Sequence, residues 1–299
     1  MEETNSLNNP LSGLEDGQIG IKQVSTWTRL RRSKSAMIGL VIIGFLILVA
    51  LLADNITPQG INEQDLRKGY LPPSSEFWLG TDKLGRDLYS RIVHGSRVSL
   101  QVGIIATAIS AVVGIILGAI AGYWGGKIDT VIQAMIDISW AFPTVLLALF
   151  LIAVMGSGLT NLMIAVGFSY WGGFARVVRG QVLSLKEWEF VTAAKAVGAS
   201  QSRIIIRYIL PNLLPIVIVM STLMMADAIL IESTLSFLGL GAQRPIPSWG
   251  SILSSGRGDM HRALWVTVYP GIAIMLTVLG FNLLGDGLRD ALDPRLRNK

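Results

Sequence analysis

The sequence of 299 residues contains no cysteine and only two histidines. The first absence excludes disulfide scaffolds, zinc ribbons, iron–sulfur clusters and cysteine nucleophiles. His94 and His261 stand far apart with no second ligand at helical spacing, so they read as polar residues satisfied at an interface, not as metal ligands. Charge is scarce too: Asp, Glu, Lys and Arg make up 15% of the chain, against about 25% in soluble domains. A phosphate-cradling Gly-x-x-x-x-Gly-Lys loop is missing, because Ala121 stands where its first glycine belongs before Gly126 and Lys127. Gly239 and Gly241 lack the third glycine of a dinucleotide fingerprint, and no nucleophile–base–orienter set is present. The chain is therefore expected to bind no cofactor or metal and to catalyse nothing itself.

Apolar residues are what the sequence has in abundance. Hydrophobic types account for 51%, and the 32 glycines lift the apolar share to about 60%, above the roughly 45–50% of soluble domains. Mean hydropathy is +0.54. A water-soluble fold of this size cannot hide so much apolar surface. The reading is an all-α, polytopic membrane protein. The net charge of +5 does not indicate nucleic acid, since most basic residues flank apolar spans.

A bilayer core takes about 20 helical residues to cross. Residues 36–53 form a first span behind Arg29, Arg31, Arg32 and Lys34, and the polar leader is too long for a signal-peptide n-region. A second span covers 98–126. The run 138–175 would reach about 57 Å as one helix, so it is divided into two at the Gly156-Ser157-Gly158 turn. A fifth begins at 208–226 and continues past Asp227 toward Glu232, and a sixth covers 263–285. Six spans place both termini on one side. With the N-terminus inside, cytoplasmic segments hold 16 Lys and Arg and external loops hold 9, which supports N-in and C-in.

Gly114, Gly118 and Gly122 make a stripe on the second span that admits a close neighbour, read first as packing within this chain. Trp124, Trp140, Trp171, Trp249 and Trp265 fall near span ends, where aromatic belts sit. Asp129 and Asp137 bracket the start of the third helix and are placed at the cytoplasmic interface. Asp227 and Glu232 lie within or at the outer end of the fifth span and are candidates for lining a pathway, with a hydrogen bond to a neighbouring helix or, for Glu232, a place at the external interface as the alternatives.

The most informative stretch lies between the fourth and fifth spans. It predicts two short helices, the first over residues 187–197, with acidic residues in its opening turn and Gly198 at its left-handed end. Ser200 caps the second, which is expected to end near Pro211. Phe190, Ala193, Ala194 and Val197 recur at i, i+3, i+4 and i+7 on one shallow face. Such a face suits lipid headgroups or a groove on a partner, and periodicity alone leaves both open.

Thr192-Ala193-Ala194, Gly198 and Ile209-Leu210-Pro211 resemble the "EAA" loop of permease subunits of binding-protein-dependent ABC importers. Thr192 departs from the motif's Glu, and Tyr208 stands where many relatives have His. Leu79-Gly-Thr-Asp-Lys-Leu-Gly-Arg-Asp87, Leu235-Ser-Phe-Leu-Gly-Leu-Gly241, Pro247-Ser-Trp-Gly250 and Gly285-Asp-Gly-Leu-Arg-Asp-Ala-Leu-Asp-Pro294 narrow the resemblance to the C-type permease of the oligopeptide/dipeptide/nickel branch. The resemblance covers the chain after about Trp27. It implies a type I importer permease fold with a cytoplasmic tail (1–35), first helix (36–53), external loop (54–97), five-helix core (98–285) with coupling loop 178–212, and a C-terminal tail (286–299).

By the same resemblance, Phe190, Thr192, Ala193, Ala194, Val197, Gly198 and Pro211 would couple to an ATPase. The implied partners are a B-type permease, two ATP-binding subunits carrying ATP and magnesium, an extracytoplasmic solute-binding protein and membrane lipid, with no nucleic acid. The external loop, too long for a bare connector, is expected to meet the binding protein through Thr81, Asp82, Gly85, Arg86 and Asp87. Peptide is the expected cargo. Nickel, glutathione and oligosaccharide are alternatives within the branch. A self-sufficient secondary transporter or channel is the competing class, but it calls for internal repeats or an ion relay, and no clear half-to-half repeat is seen. A lipid-bound scaffold accounts for the short helix and not for the ordered motifs.

Overall fold

The structure, a computed structural model, describes residues 26–243 and 245–292. The first 25 residues of the expected N-terminal tail, Arg244 and residues 293–299, including Pro294, lie outside the described residues. Among those described, the fold is helical, with one isolated antiparallel bridge between Thr81 and Asp87.

Helix α1 (Thr26–Arg32) leads into α2 (Lys34–Leu51), which Ser33 caps by accepting from the Ala36 amide. A short α3 (Ala53–Ile56) follows. Helix α4 (Leu88–Trp124) has 37 residues and a length of about 55 Å, so it projects well beyond a bilayer core of about 30 Å. It starts ten residues before the expected span, because Asp87 is an N-cap whose carboxylate accepts from the Ser90 amide at 2.8 Å and the Ser90 hydroxyl at 2.6 Å.

Helices α5 (Gly126–Trp140) and α6 (Thr144–Met155) meet at a 92° bend. Pro143 has no amide to continue the first helix and disfavours helical geometry at Phe142 before it. The predicted turn at 156–158 is present, with Gly156 and Gly158 at positive φ, and α7 (Leu159–Leu185) follows. Beyond come α8 (Glu189–Ala196), α9 (Gln201–Ile204), a π-helical turn (Ile205–Ile209), α10 (Leu210–Phe237), α11 (Trp249–Gly256) and α12 (Trp265–Leu292).

Of the six expected crossings, length and hydropathy single out four or five. Among the described residues four helical stretches are long and apolar enough to span a membrane: Lys34–Leu51, Leu88–Trp124, Gln201–Phe237 and Trp265–Leu292. The bent pair α5–α6 makes a fifth if taken as one span. Pro211 also fails to end its helix. The wide turn at Ile205–Ile209 loosens the ladder just where proline's missing amide would break it, and the Asn212 side chain donates to the Tyr208 carbonyl at 2.6 Å.

The glycine stripe does pack within the chain, against α7. A Cβ on Gly118 would stand 2.5 Å from the Ala175 carbonyl oxygen, and one on Gly122 would stand 2.8 Å from the Val182 Cβ; Gly114 abuts Phe174 and the Trp171 carbonyl. A second small-residue seam, absent from the sequence reading, joins α2 to α12: a Cβ on Gly39 would lie 2.6 Å from the Gly280 carbonyl oxygen, and Gly287 abuts Ala36. Neither seam depends on hydrophobic drive, which lipid cannot supply; close backbone approach maximises van der Waals contact instead. Trp124 and Trp140 are exposed as a belt requires, but Trp171 and Trp249 are buried. Trp249 donates to the Ile92 carbonyl at 3.0 Å, so it belongs to the core.

Candidate functional site

The loop between α7 and α10 is a compact, backed platform. Helix α8 ends in two reciprocal hydrogen bonds, Ala199 N–H to the Ala194 carbonyl and Gly198 N–H to the Lys195 carbonyl, both 3.0 Å. This left-handed closure requires φ of +79° at Gly198, which glycine adopts without steric cost. Ser200 then caps α9 by accepting from the Arg203 amide.

The face that periodicity assembled is divided by the structure. Val191 and Ala194 are buried against Val178, Val182, Leu185, Ile204, Ile209 and Leu213, with Phe190 partly buried beside them. Phe190 stacks on Tyr208 at 6.5 Å between ring centroids, which ties α8 to the π turn. Thr192, Ala193, Val197 and Gly198 are exposed, Val197 at 83%. Ala194 is therefore corrected from a docking residue to a core residue: its small side chain lets α8 sit close to its own chain. Pro211 is exposed in the first turn of α10. Trp124 donates to Gln201 at 3.2 Å and joins the end of α4 to the platform.

Asp129 and Asp137 clamp α5 to α7. Arg179 grips Asp129 with two hydrogen bonds of 2.5 and 2.6 Å, and Arg176 meets Asp137 at 2.6 Å while its guanidinium lies 3.9 Å from the Trp140 ring centroid. Paired donors of this kind give arginine its geometric specificity for carboxylates.

The loop expected to be external also turns its expected contact residues inward. Thr81, Asp82, Gly85, Arg86 and Asp87 are all buried. Thr81 donates to the Lys68 carbonyl at 2.6 Å and accepts from the Leu71 amide at 2.8 Å. Asp82 and Arg86 form an ion pair at 2.6 Å, with Arg91 at 3.9 Å. Gly85, with φ of +71°, sits against the Asp65 backbone. These five residues knot the loop and cap α4, so the expectation that they face a binding protein is corrected. Charged side chains this deeply buried need partners, and they find them inside the loop. The loop's exposed large apolar side chains are Leu66, Leu71 and Trp78, set among exposed polar residues that include Glu63, Asp65, Arg67 and Glu76.

Two further groups hold this outer face. Arg97, then His94, hold the Asp54 carboxyl below its ordinary range, and the His94–Asp54 contact at 3.2 Å makes His94 the satisfied polar residue expected of it. Burial, followed by a hydrogen bond with Asp259, pushes the Tyr70 phenol up to about 12.

The two intramembrane carboxylates part company. Glu232 is fully buried and accepts from Ser236 at 2.7 Å and from Ser99 and Ser233 at 3.2 Å, with Ser248 a fourth partner. It is a clasp joining α4, α10 and the N-terminus of α11, and it does not line a path in this conformation. Asp227 is exposed on α10.

Residues 114–298 match the family of binding-protein-dependent transport system inner membrane components, and residues 24–73 match the N-terminal transmembrane domain of oligopeptide transport permease C. The chain is 46% identical to the dipeptide transport system permease protein DppC of Alkalihalophilus pseudofirmus, covering 92% of each. It is 40% identical to the oligopeptide transport system permease protein OppC of Bacillus subtilis, covering 94% of this chain and 93% of that protein. The glutathione transport system permease protein GsiD of Pectobacterium atrosepticum is 42% identical, with 91% of each covered. Among solved structures, a chain of the inward-facing MetNI methionine ABC transporter has a TM-score of 0.56 at 18% identity, covering 69% of this chain and 98% of that one, a likeness of fold. The chain belongs to the family of binding-protein-dependent transport system inner membrane components. It is a multi-pass permease of the inner membrane.

Proposed function

We propose that this chain is one permease subunit of an ATP-driven importer of di- or oligopeptides, which an extracytoplasmic solute-binding protein delivers. It forms half of the translocation path beside a B-type permease, with six crossings, both termini cytoplasmic, and α7 and the bent α5–α6 pair completing the count. Two ATP-binding subunits carry the ATP and magnesium. Their closure pulls on the coupling platform and shifts the membrane helices between inward- and outward-open states, an equilibrium biased by differential binding. The binding protein meets the exposed rim of the external loop at Leu66, Leu71 and Trp78.

The observation that carries this reading is the platform at α8: an inner face sunk into the chain's own core, and an open outer face of Thr192, Ala193 and Val197 with Gly198 at its edge. A helix that only rested on lipid has no need of such backing, whereas a lever transmitting force does. The test is co-purification of the tagged chain from native membranes in mild detergent, with Ala193→Arg and Val197→Asp alongside wild type. Wild type brings a second permease and a P-loop ATPase, and the variants keep the permease and lose the ATPase. A chain that purifies alone and transports in liposomes without ATP overturns the proposal.

A further inference from the structure

Asp227 lies ten residues before the outer end of α10 at Phe237, a depth of about 15 Å at the helical rise and thus near the middle of a bilayer core of about 30 Å. It is exposed, and no hydrogen bond or ion pair within the described residues satisfies it. A carboxylate held there against hydrocarbon is costly, so its face meets water, substrate or protein. Residues spaced by seven on a helix share one face. Here Met220, Asp227 and Thr234 form that stripe, with Leu230 exposed beside it. On the opposite face Leu214 and Ile218 are exposed apolar side chains near the start of α10, while farther along that face Glu232 and Ser236 turn into the clasp.

We infer that Asp227 is a water-lined station in the translocation path that receives the ammonium group of a passing peptide. The inference rests on the peptide-importer reading above. A peptide's free amino group carries the charge for which Asp227 lacks a partner among the described residues. Met220 and Leu230 give the adjoining surface an apolar and, through methionine, adaptable character. One fixed anion among adaptable apolar groups selects the feature common to all peptides while tolerating varied side chains.

Because the chain has no cysteine, single thiols can be introduced without background. In inside-out vesicles carrying the complete importer, Asp227→Cys should react with a water-soluble cationic thiol reagent at least 10-fold faster than Phe45→Cys, which lies on the exposed apolar face of α2. The modification is read as a mass shift on this chain. A free-amine dipeptide should slow the reaction of a thiol at Leu230→Cys, which keeps Asp227 one turn away, and its N-acetylated form should not. In uptake at saturating binding protein, Asp227→Asn should lower transport of free-amine peptide about 10-fold relative to the acetylated peptide.

Reaction no faster than at Phe45→Cys in every nucleotide state overturns the inference, since the face is then covered. So does an Asp227→Asn importer that keeps the wild-type ratio of the two peptides, or one that loses its second permease, which would make Asp227 a subunit contact. Failure of the importer reading looks different: the wild-type complex then takes up no peptide with ATP, and the site is judged by thiol reactivity and dipeptide protection alone.

Discussion

Replacing Glu232 with alanine removes an acceptor shared by four serine hydroxyls. Two of these, Ser233 and Ser236, sit on α10 with Glu232 and can turn back to backbone carbonyls of their own helix. Ser99 and Ser248 come from α4 and the α11 cap, so their bonds hold separate elements together. Hydrogen bonds between membrane helices average about 0.6 kcal/mol and reach about 1.7, so the two crossing bonds contribute about 1–3 kcal/mol. Deleting the rest of a fully buried side chain adds a cavity cost of about 2 kcal/mol. Glu232→Ala should therefore cost about 3–5 kcal/mol, and at about 2–4 °C per kcal/mol it should lower the melting temperature by about 10 °C. Glu232→Gln keeps an acceptor oxygen and the volume, so it should cost about 1 kcal/mol or less and leave transport intact. The assay is thermal unfolding of the purified complex followed by intrinsic fluorescence. Equal melting of alanine variant and wild type refutes the clasp. A glutamine variant as unstable as the alanine variant refutes the hydrogen-bond arithmetic in favour of the charge.

Ala194→Arg, by forcing a cation into the core beneath α8, should destabilise the chain by about 3 kcal/mol or more, whereas Ala193→Arg one residue away should leave its melting within about 0.5 kcal/mol of wild type; denaturation profiles of the two separate core from docking surface. Gly118→Ala, meeting the Ala175 carbonyl, should cost about 2–3 kcal/mol, and Gly173→Ala, with open space around it, should serve as the silent control in the same expression and melting assay. The Tyr70 phenol is raised in the fold, so the native state holds its proton longer than the unfolded chain does. Its contribution is complete below about pH 10 and lost as pH rises toward about 12. Limited proteolysis of the external loop should show that alkaline loosening in wild type, and Tyr70→Phe should abolish the step. Deleting residues 79–87 should prevent assembly, not merely uptake, because it removes the cap of α4 and the Asp82–Arg86 pair; normal assembly on a native gel would contradict the buried-knot reading.

Properties set by composition and short-range pattern were legible without a structure. Scarce charge and long apolar runs required a membrane, Gly156 and Gly158 marked a turn, and Gly198 with Ser200 marked the end of one helix and the start of the next. Glycines at four-residue spacing announced a close helix contact. Each of these depends on the local backbone or on transfer from water, and neither needs a partner to be known. The direction in which a side chain points is different, because it depends on what lies opposite. Periodicity put Ala193 and Ala194 on one face of α8, but the core of α7 and α10 took Ala194 and left Ala193 outside. A loop too long for a bare connector suggested a docking surface, yet Asp82 and Arg86 found each other and went inward. The motif around Pro211 read as a stop until a π turn made room for it. Two carboxylates five residues apart on α10 both read as pathway candidates; four serines, brought by three elements, buried one of them, and only the tertiary structure left Asp227 without a partner among the described residues.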